Sequence, residues 1–163
     1  MSEKADAFIG LGSNLGDRES HVETAIREIA TLPGTSLVSR SSLYESSPLD
    51  ACGGDYLNAV ARVRTSLGAM ELLAALQSIE ASHGRERPYR NAPRSLDLDL
   101  LLHGDAQRAT PELTLPHPRL HERAFVLLPL AEIAPGLRIA GRGDLAELLR
   151  GLGGQRVARW RAP

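Results

Sequence analysis

Two amphipathic helical stripes lie between extended segments, and this interleaving limits the chain to a small set of α+β folds. From Arg18 to Leu32 the apolar residues Val22, Ala25, Ile26, Ile29 and Leu32 recur at helical spacing, with Asp17 placed to cap the start and Pro33-Gly34 to stop the helix. A second stripe, Met70, Leu72, Leu73, Leu76 and Ile79, predicts a helix over 68–83 that ends at Gly84. Strands are predicted over 5–11, over 35–44 and over 56–65. In the last of these, Leu57, Ala59, Ala61 and Val63 face one way and Tyr56, Asn58, Val60, Arg62 and Arg64 the other, the pattern of a half-buried strand. The fourth strand is RSLDLDLLLHG, from Arg94 to Gly104. Strand, helix, strand, strand, helix, strand is the split βαβ or ferredoxin-like order, an antiparallel sheet with two helices on one face. Helices predicted near 123–134 and 144–149 add a C-terminal extension.

The fourth strand raises a chemical question, because Asp97 and Asp99 interrupt a run of leucines and an unpaired buried carboxylate is costly. Side chains two apart on a strand share a face, so both acids point together while Leu96, Leu98 and Leu100 pack behind. Two such hard oxygen ligands suit Mg2+, which completes its shell with water and substrate phosphates. Paired ions of this kind are a common device of phosphoryl chemistry. The residue types alone leave the alternative of two solvated acids on an edge strand. Arg85, Arg87, Arg90 and Arg94 precede the acids, and Arg119 and Arg123 follow them. A polyanion such as a nucleoside triphosphate, bridged by metal to the acids and gripped by guanidiniums, accounts for both signs of charge.

Composition excludes other classes. A net charge of -1 argues against a sequence-independent nucleic-acid binder, although 18 of the 19 basic residues are Arg. No apolar run approaches the ~20 residues of a membrane span, and the N-terminus lacks the pattern of a secretory signal. The single Cys52 fits a reducing cytoplasm. One domain covering 1–163 is expected, acting as a monomer. GLGSNLG, residues 10–16, has the wrong spacing for a dinucleotide fingerprint and reads as a flexible turn. His117 and His121 lack a third soft ligand for zinc, and His117 fits better as a phosphate or hydroxyl donor. Tyr56, Asn58 and Phe125 suit a flat heterocycle, with rings for its faces and an amide for its edge. A non-catalytic ligand-binding module on the same fold, and a phosphotransferase with another acceptor, stay open on the residues alone.

Five words in collinear order, GSNLGDR (12–18), YESSPL (44–49), DYLNAV (55–60), APRSLDLDLLLHG (92–104) and LPHPRLHERAFVLLPLAEI (115–133), closely resemble the 6-hydroxymethyl-7,8-dihydropterin pyrophosphokinases of folate biosynthesis. The resemblance implies a ferredoxin-like fold and transfer of the β,γ-pyrophosphoryl group of ATP to the hydroxymethyl oxygen of the pterin, with release of AMP. It further implies two Mg2+ ions on Asp97 and Asp99, with Arg85, Arg94, His117 and Arg123 on phosphates and Arg87 and Arg90 on a mobile loop. The pterin would lie between Tyr56 and Phe125, its edge read by Asn58 and by the backbone of Ser46, Ser47 and Leu49. Gln77 and Glu80 match positions at the nucleotide side, while Leu100 and Thr114 would help line the adenosine pocket. Loops 45–54 and 85–94 are expected lids, the second carrying Asn91 where some members have Trp.

Overall fold

The computed structural model describes residues 3–47, 55–84, 95–153, 155 and 157–160. β1 (Ala5–Ser13) is followed by α1 (Arg18–Ala30), which starts where the Ser20 amide donates to Asp17 Oδ1 at 3.1 Å, as the sequence predicts. Past its end, Gly34 takes a left-handed φ of 63°, the turn that sends the chain back into the sheet. The predicted strand over 35–44 is two strands, β2 (Thr35–Arg40) and β3 (Tyr44–Ser46). The interruption is imposed by a contact with the strand over 56–65. Ser41 turns its hydroxyl inward, and Ser41 Oγ accepts from the Val60 amide at 2.9 Å in place of a backbone carbonyl.

β4 (Tyr56–Thr65) has the predicted bounds, and α2 (Ala69–Ser82) follows. β5 (Asp97–His103) closes the predicted arrangement. The strands pair antiparallel in the order β3, β4, β1, β5, with β2 continuing the line of β3 along the outer edge of β4. Two short ladders follow: β6 (Arg108–Ala109) with β7 (Thr114–Leu115), and β8 (Arg138–Ile139) with β9 (Gly143–Asp144). Between them lies α3 (Ala124–Ile133), and then come α4 (Leu145–Arg150) and β10 (Val157–Arg159). β10 adds a strand outside β3 that the sequence reading does not anticipate.

The sheet has a core on each side. On one, α1 and α2 cover Ile9, Leu11, Leu57, Ala59, Ala61, Val63, Leu98 and Leu100. On the other, Val126, Leu127 and Leu130 of α3 cover Phe8, Val60 and Leu101. β4 is more buried in its middle than a half-buried strand: on its outward face Val60 (0% exposed) lies under α3 and Asn58 (4%) is buried beside Ser46, while Arg64 stays exposed. Met70 departs from its predicted stripe and is exposed, whereas Glu80 of the same helix is buried. Among the described residues no helix is long and apolar enough to cross a membrane.

Candidate active site

Register explains how the carboxylates reach a usable place. Gly12 of β1 pairs with Asn58 on one side and Asp97 on the other, and Gly10 pairs with Val60 and Asp99. Each row reads polar or bulky residue, glycine, carboxylate. With strands ~4.8 Å apart, Asn58 and Asp97 stand nearly 10 Å apart across a floor without side chains. A Cβ on Gly12 would meet Asn58 Nδ2 at 3.2 Å and Tyr56 Cδ1 at 3.4 Å, so glycine here keeps that floor open. The expected flexible turn is thus in part a strand, with Gly10 and Gly12 working inside β1. Period-two alternation in GLGS places both glycines on the face of Asn58 and Asp97, a signal that the reading of the motif as a turn passes over.

Asp97 and Asp99 share one face, and Leu96, Leu98 and Leu100 are buried behind them. This alternation ends at a bulge opposite Phe8 and Ile9, after which Leu101 and Leu102 both enter the second core. Glu80, 3% exposed, accepts the Leu98 amide at 2.8 Å on the open edge of β5, so a buried acid fixes the backbone between the two site carboxylates. Gln77 is exposed one turn earlier. Leu100 faces the helix-side core rather than the carboxylate face, and Thr114 is half-buried in the neighbouring β7.

One guanidinium and one imidazole, both later in the chain, converge on Asp99. Arg123 Nη1 is 3.9 Å from Asp99 Oδ2, and His117 Nε2 is 4.0 Å from Asp99 Oδ1. Arg123 immediately precedes α3 and lies over the Phe125 ring at 5.5 Å, while its buried Nε has no hydrogen-bond partner among the described residues. The start of α3 is capped by Gln155, which accepts the Ala124 amide at 2.9 Å and donates to the Glu122 carbonyl at 2.7 Å. His117 is held by its own amide, which donates to the Leu101 carbonyl at 2.9 Å. Burial first, then Arg123 and Arg119, pull the His117 imidazole down to about 4, against the opposing influence of Asp97. The ring is therefore neutral at pH 7. Its Nδ1 accepts the Arg119 amide at 3.2 Å, which leaves the proton on Nε2, the nitrogen turned toward Asp99.

Ser46 Oγ donates to Asn58 Oδ1 at 2.6 Å, leaving the Asn58 amide nitrogen as a donor on the glycine floor. Ser47 follows β3 half-buried, Tyr56 begins β4, and Phe125 lies in the first turn of α3 on the same side of the sheet. Leu49, Arg85, Arg87, Arg90 and Arg94, with most of both expected lids, lie outside the described residues. Among the described residues no group of three or more His, Cys, Asp or Glu is arranged to hold a metal. The two carboxylates on one face are hard oxygen donors, a set that suits an ion taking the rest of its shell from water and a phosphate substrate, as magnesium does.

Comparison with known proteins places the chain among relatives. Residues 8–135 match the family model described as 7,8-dihydro-6-hydroxymethylpterin-pyrophosphokinase (HPPK). A 2-amino-4-hydroxy-6-hydroxymethyldihydropteridine pyrophosphokinase of Pseudomonas aeruginosa is 43% identical over 143 residues, 87% of this chain and 88% of that protein. A protein of the same name from Haemophilus influenzae is 42% identical over 88% of this chain and 91% of its own. Among solved structures, Plasmodium falciparum wild-type HPPK-DHPS with pterin and p-hydroxybenzoate superposes with a TM-score of 0.71 at 14% identity, covering 91% of this chain and 42% of that one. A triple mutant of the same bifunctional protein gives 0.72 at 16% identity. The chain spans less than half the length of those bifunctional structures, whose likeness is one of fold.

Proposed function

The chain belongs to the HPPK family and transfers a pyrophosphoryl group to a hydroxymethyldihydropterin in folate biosynthesis; from that premise we propose that ATP is the donor, that magnesium is required, and that the glycine-floored face of the sheet is where transfer occurs. The observation that carries this reading is the pair Asp97 and Asp99 on one face, beside an open floor, with Arg123 and His117 at 3.9 and 4.0 Å from Asp99. In the proposed reaction the hydroxymethyl oxygen attacks the β-phosphorus in line, its proton departs by way of Asp97 to solvent, the bond to the α-phosphate oxygen breaks, and AMP leaves. Two Mg2+ ions on Asp97 and Asp99 would supply charge neutralisation and a lowered pKa for the attacking hydroxyl.

The chain's own residues do the positioning. Asn58 presents its amide to the pterin edge, with Tyr56 and Phe125 for the ring faces and the backbone of Ser46, Ser47 and Leu49 beside them. His117 donates from a neutral Nε2 to a phosphate oxygen, a contact that needs no salt bridge. Arg123, braced by Phe125, neutralises charge that develops on the transferred group, together with Arg85 and Arg94. Arg87 and Arg90 contribute charge to the phosphates, and Gln77, Glu80, Leu100 and Thr114 are assigned to the nucleotide side. We assign the whole of 1–163 to one domain that works as a cytoplasmic monomer.

Incubation with ATP, Mg2+ and 6-hydroxymethyl-7,8-dihydropterin, followed by chromatography of the nucleotides, tests the proposal. AMP and pterin diphosphate in equal amounts are expected. ADP in place of AMP would mean transfer of a single phosphoryl group and would overturn it, and so would undiminished turnover in excess EDTA.

A further inference from the structure

Arg18 takes no part in the site described above, yet it sits directly behind it. It is the first residue of α1, on the helix side of the sheet. Its Nη1 donates to Glu45 Oε2 at 3.0 Å and to the Asp55 carbonyl at 2.9 Å. Glu45 belongs to β3, and Asp55 comes immediately before β4. The residues that follow them, Ser46 and Tyr56, are register partners on the opposite face, the face of Asn58 and the carboxylates. One guanidinium nitrogen thereby ties together, from behind, the two strand ends that present Ser46 and Tyr56.

The cation itself has a seat. Its guanidinium carbon lies 6.0 Å from the centroid of the Trp160 ring. Trp160 is brought there by β10, in which Val157 pairs with Ser46 and Ala158 with Glu45, and by its amide, which donates to the Leu43 carbonyl at 2.9 Å. This C-terminal segment lies beyond residue 135, where the family match ends. β3 has only three residues, too short a ladder to fix its own position firmly.

We propose that Arg18, seated on Trp160, is a positioning residue for the pterin subsite: it sets the relative placement of Ser46 and Tyr56 without touching substrate. The inference rests on the pyrophosphokinase reading. Arg18 and Glu45 side chains are 26% and 36% exposed, so their ion pair by itself adds little to global stability. The consequence falls on binding geometry instead. Lysine, a point charge on a flexible stem, does not reproduce a fork held against a ring and two acceptors.

Steady-state kinetics of wild type, Arg18→Ala and Arg18→Lys, with ATP and 6-hydroxymethyl-7,8-dihydropterin varied in turn, tests the clamp. For both variants the pterin KM is expected to rise about tenfold while the ATP KM stays within about twofold. Equal KM values in wild type and variants, or a parallel rise in both, would overturn the proposal while leaving the pyrophosphokinase reading intact. A wild type that releases no AMP would overturn both. Should circular dichroism show Arg18→Ala unfolded, Glu45→Gln decides by the same split: a rise of about threefold in pterin KM alone supports the clamp, and a wild-type value refutes it.

Discussion

Acidification should weaken this protein through His117 before it weakens it through the carboxylates. The imidazole is drawn from its ordinary 6.5 to about 4, chiefly by burial. Between those two values the unfolded chain binds a proton that the folded ring refuses, so the contribution is complete above pH 6.5 and is lost as pH falls toward about 4. A displacement of this size corresponds to about 3 kcal/mol. With 18% of the side chain exposed, solvent screening reduces this to roughly 2 kcal/mol. Urea denaturation of wild type and His117→Gln at pH values of about 7.5 and 4.5 measures it, since glutamine keeps a neutral donor and does not titrate. Wild type should lose roughly 2 kcal/mol more than the variant over that interval. The comparison cancels the other groups with lowered pKa: His21, depressed by burial and His83; Asp6, held down by its bond from Arg62; and Glu132, held down by donors from Tyr44 and Ser42 against its burial. Identical pH slopes for the two proteins would refute the reasoning, because they would place the His117 proton equally well in both states.

Other outcomes follow from the same geometry. Asp97→Ala and Asp99→Asn should each lower turnover by roughly a thousandfold with an unchanged circular dichroism spectrum, and AMP release near the wild-type rate in either would rule out the twin-carboxylate site. Gly12→Ala places a methyl group 3.2 Å from Asn58 Nδ2, so pterin affinity measured by calorimetry should fall about tenfold while the melting temperature barely moves. Unaltered pterin binding there would show that the glycine floor is not the pterin bed. Leu127→Ala, at a fully buried position of α3, should cost about 2 to 5 kcal/mol in chemical denaturation. A loss under about 1 kcal/mol would mean that the second core is loosely packed.

Much of this molecule is legible in local pattern. The stripe from Val22 to Ile29 and its Asp17 cap specify α1 because 3.6-residue periodicity and an acceptor at the N-terminus act within one helix. The alternation of β4, and of Asp97 and Asp99 against Leu96, Leu98 and Leu100, needs only the two-residue repeat of an extended chain. The five family words carry the function in the same way, through residue types at fixed separations.

Contacts between distant segments decided the rest. Ser41 divides β2 from β3 by bonding to Val60, 19 residues away. Periodicity assigns Val60 to an outward face, and only the arrival of α3 turns that position into interior. Glu80 matches a position at the nucleotide side by resemblance alone, and only the arrival of β5 shows that its carboxylate accepts the Leu98 amide. Gly10 and Gly12 look like a turn until pairing with β4 and β5 sets them between Asn58 and Asp97. Side-chain period is a property of one strand or helix, so the sequence alone determines which residues share a face; register and covering elements arise from long-range packing, so only the tertiary structure decides which faces meet and where an open floor is left for substrate.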